Sequence, residues 1–141
     1  MIAYVDASVL LRVVLRQPNA LREWGQIERG VSSALVVTES LRTLDRLRLR
    51  AQLSDAEVAI RRGAVLAVIA SLELIEIDET VLERAAHPMP TELGTLDAIH
   101  LASALLWRED SGEELAMATH DRALALGAQA HGLRVLGMSL G

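Results

Sequence analysis

The chain contains no cysteine, no lysine and no phenylalanine, and only 2% of its residues are aromatic. Each absence excludes something. Without cysteine there is no disulfide, no thiolate nucleophile and no zinc–cysteine site, and the composition suits a reducing cytoplasm, the expected location. All 14 cationic side chains are arginines. That removes the P-loop lysine, Schiff-base chemistry, and the lysine that haloacid-dehalogenase-type phosphatases and response-regulator receivers place beside their aspartates. No N-terminal stretch has the basic start and apolar core of a signal peptide. The longest apolar run, residues 63–72, is far short of the ~20 residues that span a bilayer, so no membrane association is expected.

What is present is a chain of 141 residues, 51% of them hydrophobic, with net charge −5. This length predicts one domain over residues 1–141, large enough to bury roughly 68% of its unfolded surface. The scarcity of aromatics leaves the core to Leu, Val, Ile and Ala. The negative balance argues against a purely electrostatic nucleic-acid binder.

Apolar runs alternate with helical patterns along the chain. "MIAYV" reads as a buried strand, and "DASVLLRVVLRQP" as the following helix, with Ser8 as N-cap and Pro18 as stop. "NALREWGQIERG" reads as a second amphipathic segment, and "VSS" as a short strand. "ALVVTESLRTLDRLRLR" is a helix with Val37, Leu41, Leu44 and Leu47 on one side. "SDAE" at Ser54 is a capping box ahead of another helix. "LELIEID" alternates like a strand, "ETVLERAAHP" is a short helix, and "GTLDAIHLASALLW" is a helix apolar on nearly every face. "ELAMATH", "DRALALGAQAHG" and "LRVLGM" complete a strand–helix–strand series. Such alternation predicts an α/β fold with helices on both faces of a mostly parallel sheet of four or five strands.

Four acids stand out. Asp6 and Asp121 each follow a predicted strand directly, on the edge of the sheet where α/β proteins bind ligands. Either alone is equally well an N-cap. Asp97 lies in the most apolar helix, sharing a side with His100, Leu101, Ala104 and Arg108 at 100° per residue. A buried, unpaired carboxylate costs on the order of several kcal/mol, so Asp97 needs a cation or strong hydrogen bonds. No second His or Cys has ligand spacing near His100, which reads as a supporting hydrogen-bond partner. Glu39 has an ordinary alternative as the ion-pair partner of Arg42. Glu109, Asp110, Glu113 and Glu114 read as a solvated loop. If Asp6, Glu39, Asp97 and Asp121 converge, they form a set of hard oxygen donors suited to Mg²⁺ or Mn²⁺.

The segments "YVDASVLL", "VTESLR", "TLDAIHLASA" and "ATHDRAL", in this order and spacing, resemble PIN-domain ribonucleases, and specifically VapC-type toxins of bacterial toxin–antitoxin pairs. The resemblance covers essentially the whole chain. It implies a PIN-like α/β/α sandwich and metal-dependent cleavage of single-stranded RNA, for which Arg42 and Arg46, on one side of their helix near Glu39, form a candidate RNA-binding patch, with a solvated helix face as the alternative. Asp6 and Asp97 would be the firmest metal ligands, Glu39 and Asp121 would complete the catalytic set, and Ser8 and Thr119 would support it. It also implies a cognate antitoxin protein and a homodimer. The alternatives are a PIN-like RNA- or protein-binding module without nuclease activity, and a phosphatase or flap nuclease on a similar fold.

Overall fold

The computed structural model describes residues 1–50 and 53–141. The chain runs β1 (Ile2–Val5), α1 (Ala7–Val14), β2 (Arg29–Ser33), α2 (Leu35–Leu49), α3 (Asp55–Ala70), β3 (Glu73–Ile75), α4 (Glu79–Ala86), α5 (Thr95–Ser111), β4 (Ala116–Ala118), α6 (Arg122–Ala130) and β5 (Arg134–Leu136). The strands form one five-stranded sheet in the order β3-β2-β1-β4-β5. Every pairing is parallel, so the sheet is parallel throughout. Among the described residues no helix is long and apolar enough to cross a membrane.

Side-chain alternation along the central strand divides the core. Ala3 and Val5 point to one face, where Val9 and Leu10 of α1, Val36 and Leu44 of α2 and Val65 of α3 pack. Tyr4 points to the other face, against Leu101 and Leu105 of α5 and Leu124 of α6. The result is an α/β/α sandwich whose strands, covered on both sides, need no polar alternation. The chain leaves β1 toward β2, while β4 takes the opposite flank of β1. This places a topological switch point between the carboxyl ends of β1 and β4.

Several local expectations are corrected. Ser8 is not the N-cap of α1; Asp6 holds that position, and the Ser8 hydroxyl donates to the Asp6 carboxylate instead. That helix ends at Val14, ahead of Pro18, with Arg16 at φ 53°. The amphipathic segment at residues 19–30 is not a helix. It holds a 3₁₀ turn at Trp24–Gln26 and then enters β2, with Trp24 and Ile27 packed on the core from an irregular backbone. On α2 the buried positions are Val36, Ser40 and Leu44, with Val37, Leu41 and Leu47 at its half-buried flanks. Helix α5 continues to Ser111, so Glu109 and Asp110 are helical, and Glu109 pairs with Arg84 through both carboxylate oxygens. The capping box at Ser54 is present in both directions.

Gly137, just after β5, has φ 94°, and a Cβ there would lie 2.7 Å from the Thr119 carbonyl oxygen. The His120 ring packs against the same glycine and hydrogen-bonds its carbonyl at 2.8 Å. Gly137→Ala is therefore expected to cost about 1–3 kcal/mol, seen as a drop of roughly 3–10 °C in a thermal melt. An unchanged melt would show that the backbone is not held against Thr119.

Candidate active site

Asp6 ends the central strand and is 7% exposed. It sits at the N-cap position of α1, yet its carboxylate makes no capping bond. Its Oδ2 accepts from Ser8 Oγ at 2.7 Å and Thr119 Oγ1 at 2.8 Å. Each hydroxyl in turn accepts a backbone N–H beyond β4: Ser8 from His120 at 3.0 Å, and Thr119 from Asp121 at 3.0 Å. Two hydroxyls thus clip the ends of the two central strands to one carboxylate. The capping explanation fails for Asp6 and holds for Asp121, whose Oδ1 accepts from Leu124 N–H at 3.0 Å and caps α6.

Glu39 comes from α2 and does not pair with Arg42, which turns to Asp45 at 3.2 Å. Its partner is His100, whose Nε2 meets Glu39 Oε1. His100 is 1% exposed, and its Nδ1 lies 2.7 Å from the Tyr4 hydroxyl. Both ring nitrogens of His100 are thus engaged, one by Tyr4 and one by Glu39. Burial disfavours the charged form of His100, but Glu39, Asp6 and Asp97 outweigh it and move the imidazole above its ordinary range. Of the side of α5 that carries Asp97, His100, Leu101 and Ala104 are buried and Arg108 is tied to the His131 carbonyl, so no solvent stripe exists there.

Asp97 is half-buried, one turn before His100. Burial, then the charges of Asp121 and Asp6, push its carboxyl up to about 6; His100 opposes the rise and Glu39 adds to it. These acids share a cavity of about 500 Å³ lined by Asp6, Glu39, Asp97 and Asp121, with Arg42 and Arg46 on one wall. The donor atoms of Asp6, Glu39 and His100 all lie within 4.8 Å of one another. Arg46 donates to Thr43 Oγ1 at 3.1 Å, so among the described residues no arginine is paired with any of these four carboxylates. Crowded oxygen donors, four carboxylates against a single imidazole, fit a hard dication.

The family model described as "PIN domain" matches residues 3–131. The chain belongs to the PIN-domain family. It is 34% identical to Ribonuclease VapC46 of Mycobacterium tuberculosis (strain ATCC 25618 / H37Rv), over 96% of this chain and 97% of that protein. It is 29% identical to Ribonuclease VapC47 of M. tuberculosis (strain CDC 1551 / Oshkosh), over 89% of each. The crystal structure of PAE2754 from Pyrobaculum aerophilum covers 95% of this PIN domain and 89% of its own chain, with TM-score 0.56 and 23% identity, a likeness of fold.

The positions singled out in the sequence therefore meet in this PIN domain: Asp6, Ser8, Glu39, Arg42, Arg46, Asp97 and Asp121 line the cavity, and Thr119 stands behind Asp6. Sequence reasoning did not find Tyr4. Its apolar surroundings in "MIAYV" mark it as core, and only the fold brings its hydroxyl to His100.

Proposed function

We propose that this PIN domain, residues 1–141, is a metal-dependent endoribonuclease that hydrolyses single-stranded RNA, the toxin of a toxin–antitoxin pair. The carrying observation is the convergence of Asp6, Glu39, Asp97 and Asp121 on one cavity at the switch point. Likeness to a ribonuclease over nearly the whole chain supports RNA as substrate. A binding module without activity has no need of four carboxylates converging on one cavity with no arginine among the described residues paired to them.

Mg²⁺ or Mn²⁺ suits the donors, with Asp6 and Asp97 as firmest ligands and Glu39 and Asp121 completing the site directly or through water. Such an ion, when bound, offsets the carboxylate repulsion, polarises a phosphodiester and lowers the pKa of water. The chain's own groups do the rest. Ser8 and Thr119 hold Asp6 in one orientation, and both are already committed to it. Asp121 fixes the start of α6 while keeping one carboxylate oxygen for the cavity. Arg42 and Arg46 grip the phosphates beside the scissile bond, which fixes register without reading sequence. RNA binding is thereby local, on a chain whose net charge is −5.

The same acidic cavity is a receptacle for a guanidinium, whose fork bridges two carboxylates. A cognate antitoxin that inserts an arginine here competes with the ion as well as covering the site. A homodimer and a cytoplasmic location belong to the same reading.

Purified protein is expected to cleave single-stranded RNA with Mg²⁺ or Mn²⁺, to stop in EDTA, and to resume when Mn²⁺ is restored. Cleavage that persists in excess chelator would falsify the metal-dependent reading.

A further inference from the structure

Tyr4 and His100 are large polar side chains buried in a core that is mostly aliphatic. Tyr4 is fully buried on the central strand, and His100 is buried in the middle of α5. Their rings meet edge-on, 5.8 Å apart at 77°. Beyond them stands Glu39, reached from a third element, α2. Three segments far apart in sequence thus contribute one line of groups: hydroxyl, imidazole, carboxylate.

The neighbours of the imidazole specify its tautomer. A carboxylate only accepts, so Nε2 carries the hydrogen and donates to Glu39 Oε1. Nδ1 faces the Tyr4 hydroxyl at 2.7 Å, accepting from it when the ring is neutral and donating to it when the ring is charged, so Nε2 keeps its hydrogen in either state. Glu39 needs such a hold. It is a long side chain, 27% exposed, at the mouth of a cavity of like charges that repel it. Tyr4 is also two residues before Asp6, and His100 three residues after Asp97. The line is therefore anchored on the same strand and helix that carry two other carboxylates.

We propose that Tyr4 and His100 are positioning residues: the Tyr4 hydroxyl anchors the His100 ring through Nδ1, and His100 Nε2–H holds the Glu39 carboxylate facing Asp6 in the orientation that metal binding requires. This deepens the metal-dependent reading and rests on it. Groups that orient a metal-binding side chain without touching the ion typically matter by about 10–100-fold in affinity or activity.

Two substitutions at one position separate positioning from packing. The amide nitrogen of glutamine reaches the place of imidazole Nε2, and that of asparagine the place of Nδ1. His100→Gln is expected to bind Mn²⁺ within roughly threefold of the parent in calorimetry. His100→Asn is expected to weaken Mn²⁺ by about 10–100-fold and to lower RNA cleavage at sub-saturating Mn²⁺ in proportion. Tyr4→Phe keeps the ring packing and is expected to weaken Mn²⁺ by roughly 3–10-fold. Nitrogen NMR of the parent should show His100 protonated at Nε2, with that signature altered in Tyr4→Phe. Melts of all variants above the assay temperature establish that they are folded. A parent that binds Mn²⁺ and cuts RNA while His100→Asn equals His100→Gln in Mn²⁺ affinity overturns the relay alone. A parent that neither binds Mn²⁺ nor cuts RNA overturns the functional reading, and the relay's purpose with it.

Discussion

Asp97→Asn is expected to abolish RNA cleavage and, in the absence of metal, to make the protein more stable. A metal site supplies several kcal/mol of transition-state stabilisation, so loss of a firm ligand should cost at least about a thousandfold in rate. The stability gain follows from the carboxyl being pushed up to about 6 in the fold. An unfolded Asp titrates near 3.9, and the gap corresponds to at most about 3 kcal/mol; because Asp97 is half in solvent, screening reduces this to about 1–2 kcal/mol. The sign is that of a penalty. Below about pH 4 the group is protonated whether folded or not, and the penalty is absent. It grows as pH rises from about 4 to 6 and is complete above that. The Asn variant never carries it. Thermal melts of parent and variant in EDTA should therefore coincide near pH 4 and diverge to a constant gap above pH 6, with the variant higher. A variant that melts well below the parent at pH 7.5 would show that Asp97 is structural.

Asp6 should behave differently, because it is tied into the fold. In Asp6→Asn the amide oxygen can still accept from Ser8 and Thr119, which both now donate to one carboxylate oxygen. This variant is expected to lose cleavage to the same extent as Asp97→Asn while its melt stays within a few degrees of the parent. Asp6→Ala leaves the buried Thr119 hydroxyl without its acceptor. That should cost about 1–3 kcal/mol and lower the melt by roughly 3–10 °C. Both variants should lose the rise in melting temperature that Mg²⁺ gives the parent. If Asn destabilises as much as Ala, the hydroxyls are not what the carboxylate holds.

The acids were legible in the sequence because their signals are local. Asp6 and Asp121 follow runs that read as strands, and Asp97 contradicts the apolar character of its own helix. The sheet class was legible for the same reason: strands such as "MIAYV" show no polar alternation, and the fold covers them on both faces. What failed was also local. Ser8 carries the residue type of a cap, but its hydroxyl has a stronger claim from Asp6. Trp24 and Ile27 have helical spacing, yet they reach the core from a 3₁₀ turn. Tyr4 was beyond reach because its partner is 96 residues away, a contact that only the topology creates. The ion pair offered for Glu39 was a neighbour-in-sequence answer, displaced by His100 from 61 residues away.

The strand order has a consequence for how the molecule comes into being. β1 precedes the other strands in the chain but lies at the centre, and its β4 neighbour is distant in sequence, with Ala3 paired to Ala116. Thr119, which steadies Asp6, follows it by 113 residues. A nascent chain ending before β4 therefore carries Asp6, Glu39 and Asp97 without the clip that closes the cavity. Translation adds about 5–20 residues per second, and pairing strands so distant in the chain is slow. Closing the switch-point cavity thus waits on the longest-range strand pairing in the sheet.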